Sequence, residues 1–154
     1  MNYSTRDLNK TVKFIIIHYT GMKSFEEAYK KLSHPRSDVS CHYLISRKGI
    51  IFNLLSTNLK AWHAGESEFC GRSNCNDFSI GIELEGTDFE PFTDAQYDSL
   101  VELSVNILKE FPNIDPDRIV GHSDVAPGRK TDPGPYFQWE RYKALLGQEL
   151  ADGA

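Results

Sequence analysis

Apolar residues in this chain fall into short runs and alternating stretches, separated by three segments with helical spacing. Val12–Tyr19 is an almost unbroken run, too short for a helix, rich in β-branched residues and closed by Thr20-Gly21, so it reads as a buried strand. Ser24 and Glu27 stand at capping-box spacing, and Phe25, Ala28, Tyr29 and Leu32 keep a helical stripe until His34-Pro35 stops it. Val39–Ser46 and Gly49–Leu55 flank a turn at Arg47-Lys48-Gly49 and predict a hairpin. Leu59–Gly65 is a short apolar piece and Glu66–Asp77 a polar loop. Phe78–Gly86 alternates Ile80, Ile82 and Leu84 with Gly81, Glu83 and Glu85, the pattern of an amphipathic edge strand with one solvated face. Thr93 and Gln96 cap the longest helical stripe, which runs through Tyr97, Leu100, Val101, Ser104, Ile107 and Leu108 to Phe111 and ends at Pro112. Arg118–Val120 is a short strand that delivers His122 to a loop, and Pro135–Leu146 is a last helix followed by a frayed tail to Ala154. Residues 1 to 11 are polar and are expected to trail over the surface. Interleaved strands and helices without repeats or linkers predict an α/β fold in one domain over residues 1–154, with a core of about 12–146.

Composition narrows the function classes. A net charge of −5 and no Lys/Arg run longer than two residues argue against a nucleic-acid surface, while a small anionic substrate held by local cations stays compatible. The longest hydrophobic run is far too short to span a bilayer, and the first ten residues lack the apolar stretch of a secretion signal. With Met1 as the native start, the expected location is the cytoplasm. Three cysteines, with Cys70 and Cys75 separated by four residues, read as free thiols rather than a zinc knuckle.

The chemistry concentrates in Val120–Gly134, which is poor in apolar residues and holds His122, Lys130 and Asp132 among Gly and Pro. Asp132 precedes Pro133, which favours extended backbone, so Lys130 and Asp132 are expected to face one space. His18 ends the first strand as His122 ends a later one, and sites in open α/β sheets form beyond such ends. His18, His122 and Asp132, with a fourth position left to water, have the composition of a catalytic zinc site. Spacing alone leaves His42 or His63 as substitutes. Glu83 is a candidate acid or base, because Gly81 beside it leaves room for something to approach that face. Trp62 and His63 either line a pocket or anchor the core.

Four segments carry a family resemblance: Ile17-His-Tyr-Thr-Gly21, Ala61-Trp-His-Ala-Gly65, Cys75–Asp88 and Gly121–Gly134. Together they resemble the zinc-dependent N-acetylmuramoyl-L-alanine amidases, and most closely their AmpD-type cytoplasmic branch, which recycles anhydro-muropeptides. The resemblance implies a mixed central β-sheet flanked by helices, as in T7 lysozyme and the peptidoglycan-recognition proteins. It implies one Zn2+ held by His18, His122 and Asp132, with Glu83 and Lys130 as the catalytic pair, and Trp62, His63 and Arg72 are the expected substrate contacts. The implied partner is a small muropeptide, with no nucleic acid, membrane or obligate protein. The family carries basic residues where this chain has Asp38 and Asn74; Arg47, Arg72 or Arg129 is left to supply a cation to the acidic stem peptide. The competing expectations are a wall-lytic amidase acting outside the cytoplasm and a muropeptide-binding module without catalysis.

Overall fold

The computed structural model describes residues 1–7 and 9–153; Leu8 of the expected surface segment and Ala154 of the expected tail lie outside the described residues. In chain order the elements are β1 (Tyr3–Thr5), β2 (Phe14–Tyr19), α1 (Phe25–Ser33), β3 (Tyr43–Ile45), β4 (Ile51–Asn53), β5 (Leu59–Ala61), β6 (Glu68–Phe69) and β7 (Arg72–Ser73). They continue with β8 (Ser79–Leu84), α2 (Asp94–Glu110), β9 (Ile119–Gly121), α3 (His122–Val125) and α4 (Trp139–Asp152). A five-stranded sheet in the order β4-β3-β8-β2-β9 organises the molecule. Its strands are parallel except for β4, which pairs antiparallel with β3. The expected mixed sheet with helices about it is therefore what forms.

The register decides which side chains share a face. Ile15, Ile17, Ile80, Ile82 and Leu84 point one way and form the main core with Leu100, Ile107, Tyr142 and Leu146 of α2 and α4. Each fully buried isoleucine there stabilises the fold by about 2 kcal/mol. The other face of β2 and β8 carries Phe14, Ile16 and His18 beside Ser79, Gly81 and Glu83. β8 is thus an inner strand rather than the expected edge strand. Its polar alternation lies on a partly covered face, with Gly81 buried and Glu83 and Glu85 half-buried, rather than on a solvated one.

Helix starts follow local chemistry. The Ser24 hydroxyl accepts the Glu27 N–H at 3.2 Å, and at α2 Thr93 and Gln96 bond reciprocally, each at 3.1 Å. α4 begins at Trp139 and continues to Asp152, so the expected tail is helical to that point.

Two further differences concern segments without hydrophobic periodicity. Residues 1 to 11 do not simply trail: β1 pairs antiparallel with β5, and Asn2 is buried with its amide donating to the Leu32 carbonyl. The Arg6 guanidinium donates to the carbonyls of Asn76, Asp77, Thr57, Leu59 and Ser79, tying the N-terminal segment to the starts of β5 and β8 and the residues before them. The stretch 66–77 contains the β6–β7 hairpin, turned by Cys70 and Gly71 at φ 52° and 76°, and leads into a 3-10 turn at Cys75–Phe78.

Candidate metal centre

Parallel pairing brings the two histidines level. Ile16 of β2 stands opposite Val120 of β9, so His18 and His122, each two residues further on, emerge together at the C-terminal ends of adjacent strands. His122 opens α3, and the Ser123 N–H donates to the Asp132 carbonyl at 3.0 Å, pinning the later loop against that first turn. All three side chains are buried. His18 Nδ1 and His122 Nδ1 are 3.0 Å apart, and Asp132 Oδ2 lies 2.9 Å from the first and 3.1 Å from the second. Among the described residues these three form the one cluster able to hold a metal ion.

The protonation of His122 tests whether a cation fits. Its Nε2 is 2.9 Å from the Ala64 carbonyl, which can only accept, so Nε2 carries the ring proton. In the neutral ring the Nδ1 lone pair then faces the Asp132 carboxylate. Two acceptors in such contact repel, and a cation between them removes the conflict. Two imidazole nitrogens and one carboxylate oxygen are the donors a divalent transition metal takes, and three protein ligands leave a position open.

Neither expected substitute joins this cluster. His42 Nδ1 accepts the Gly81 N–H at 3.0 Å and its Nε2 donates to the Leu59 carbonyl at 2.8 Å. His63 Nδ1 is 2.9 Å from His18 Nε2, and its Nε2 is 3.0 Å from Ser79 Oγ. Burial keeps His63 well below the usual imidazole range, reinforced by the neighbouring His18. Burial also lowers His18, against the opposing pull of Asp132. Desolvation works to raise Asp132, whereas His122 and His18 hold its carboxyl low when their rings are protonated and donate to it. A bound cation acts in the same direction.

Glu83 stands opposite His18 in the parallel register, so its side chain shares that face next to the cluster. It is partly buried, and desolvation, aided by the Asp132 charge and opposed by Lys130, raises its pKa to about 8. A carboxyl that holds or releases a proton near neutrality suits general acid–base work. Lys130 is exposed and Asp132 two residues later is buried, and the charges of both reach Glu83 and His18.

The expected substrate contacts Trp62, His63 and Arg72 each touch other groups of the protein. The room beside Gly81 is taken by His63, whose ring is buried against His18 of the candidate cluster. Trp62 is half-buried, its indole N–H donating to Ser4 Oγ at 2.9 Å. Arg72 lies over the Phe78 ring at 4.9 Å. Arg129 donates to the Ala64 and Glu66 carbonyls and lines an open groove of 580 Å³ with Glu66, Glu68, Asn74 and Val125. Arg47 is engaged by Glu85 and Glu90. Ala64, Asn76 and Ser79 are structural partners of the centre that residue type alone does not reveal, although each lies in a segment carrying the family resemblance.

A family model described as N-acetylmuramoyl-L-alanine amidase matches residues 8–135. The chain is 61% identical over 158 aligned residues, 92% of its length and 86% of the relative's, to the 1,6-anhydro-N-acetylmuramyl-L-alanine amidase AmpD of Haemophilus influenzae. A crystal structure of an AmpD derivative superposes with a TM-score of 0.85 at 37% identity, covering 94% of this chain and 90% of that one. AmpDh3 of Pseudomonas aeruginosa in complex with anhydromuramic pentapeptide gives a TM-score of 0.80 at 36% identity over 87% of this chain and 59% of the other.

Proposed function

The chain belongs to the N-acetylmuramoyl-L-alanine amidase family, and from that premise we propose that it hydrolyses the amide between 1,6-anhydro-N-acetylmuramic acid and L-alanine in free muropeptides, in cytoplasmic peptidoglycan recycling. Residues 1–154 act as one amidase domain with one zinc ion. The convergence of His18 Nδ1, His122 Nδ1 and Asp132 Oδ2 within 3.1 Å of one another carries this reading, and the name of the Haemophilus influenzae relative supports the substrate. Among the described residues no helix is long and apolar enough to cross a membrane.

Zinc in this site would supply an activated water and polarise the scissile carbonyl. Glu83 accepts the proton of the attacking water and passes it to the departing alanine nitrogen, so the lactyl carbon gains a hydroxyl as the C–N bond breaks. Its placement beside His18 and its raised pKa suit both halves of that transfer. Lys130 brings a positive charge to the oxyanion that forms on the carbonyl oxygen. Asp132 stays ionised and would complete the ligand set with the two imidazole nitrogens. The groove bearing Asn74 and Arg129 is the proposed path of the stem peptide.

The test is mass analysis of products from a defined 1,6-anhydro-muropeptide and from intact cell wall, with and without a chelator. Chelator-sensitive release of the peptide from the small substrate is expected. Preference for polymeric wall would shift the assignment to a lytic amidase, and binding without cleavage would make the chain a recognition module.

A further inference from the structure

We propose that the two-residue segment His63-Ala64 orients both imidazole ligands, His63 acting on His18 and Ala64 acting on His122. The inference rests on the zinc site proposed above and deepens it, because it names the residues that fix which ring nitrogens are free to bind.

The direction of the hydrogen bonds is set from the far end. The Cys75 carbonyl accepts the Ser79 hydroxyl at 2.7 Å, which uses the one proton Ser79 has. Ser79 Oγ therefore accepts from His63 Nε2 at 3.0 Å, so that nitrogen carries the proton. The neutral His63 ring is then left with a bare Nδ1, 2.9 Å from His18 Nε2, and His18 must donate there. His18 in turn presents an unprotonated Nδ1 to the cluster. The Ala64 carbonyl imposes the same result on His122 through its Nε2. His18 is 2% exposed, His63 7% and Ser79 0%, so water does not compete with these bonds.

The segment itself is clamped. The Asn76 side-chain oxygen accepts the N–H of His63 at 3.1 Å and that of Ala64 at 2.8 Å, and Arg129 donates to the Ala64 carbonyl at 2.8 Å. Gly81 provides the floor, because a β-carbon there would lie 2.5 Å from the His63 ring. Outer hydrogen bonds of this kind fix the tautomer and angle of ligating histidines, and their loss costs about 10- to 100-fold in metal affinity. His63 is thus a positioning residue, separate from Glu83 and Lys130.

The experiment compares zinc affinity, by competition with a chromophoric chelator, in the wild type, His63→Leu and His63→Asn. Leucine and asparagine have nearly the same shape, but the asparagine oxygen can take the place of Nδ1 as acceptor for His18. Affinity is expected to fall about 10- to 100-fold in His63→Leu, with much of the loss restored in His63→Asn. Long-range 1H–15N spectra of zinc-loaded wild type should show His18 and His63 both protonated on Nε2, a readout that needs no variant to fold. Equal affinities in the two variants, or a His63 ring protonated on Nδ1, would overturn the inference while leaving wild-type zinc binding intact. A wild type that takes up no zinc would defeat the functional reading and this inference with it.

Discussion

The His63 ring occupies the space that any side chain at position 81 would need: a β-carbon on Gly81 would stand 2.5 Å from His63 Cγ. Gly81→Ala must therefore push the ring, and with it the bond to His18. Overpacking a filled site of this kind costs about 1–3 kcal/mol. Denaturant melts should show that loss, and chelator competition should show weaker zinc binding in the same variant. Wild-type values for both would mean that the ring has another place to go.

Glu83→Gln removes the proton carrier and leaves the ligand set untouched. Zinc affinity should stay within a few-fold of wild type, while turnover of the anhydro-muropeptide falls about 100-fold or more. A variant that hydrolyses at wild-type rate excludes Glu83 as the base.

The pH dependence of the metal-free protein follows from the same carboxyl. Its pKa rises from 4.5 to about 8 on folding, so the native state holds this proton more tightly than the unfolded chain does. The stabilising contribution is complete below pH 4.5 and is lost as pH rises to about 8, at about 1.4 kcal/mol per pH unit at most. Melting temperatures of metal-free wild type should fall across that window relative to those of Glu83→Gln. Parallel curves for the two proteins would show that Glu83 is not desolvated.

Arg6→Met keeps most of the side-chain bulk and removes the donors to carbonyls of Asn76, Asp77, Thr57, Leu59 and Ser79. His42 still donates to the Leu59 carbonyl, but each other buried carbonyl left without a donor costs about 1–3 kcal/mol, so thermal melts should show a loss of several kcal/mol. Because Asn76 and Ser79 also support His63, zinc affinity should drop as well. A variant as stable as wild type would reduce Arg6 to a surface tether.

Elements defined by hydrophobic spacing were legible in the sequence, down to the capping box of Thr93 and Gln96. Strand position was not. Gly81 and Glu83 give β8 the alternation of an edge strand because a histidine from a distant loop, rather than water, covers that face. Arg6 and Asn2 act through long-range bonds to backbone carbonyls, which leave no periodicity to read. At the site, residue type pointed to His18, His122 and Asp132, whereas the supporting roles of Ala64 and Asn76 depend on one carbonyl and one amide oxygen that only the folded backbone brings into reach.

X-ray absorption at the zinc edge of the purified, zinc-loaded wild type tests the centre most directly. One zinc per chain is expected, with nitrogen and oxygen neighbours at about 2.0–2.1 Å and an imidazole scattering pattern from two rings. A sulfur shell at about 2.3 Å, as Cys41 or Cys75 would give, or a protein that retains no zinc at all, would contradict it.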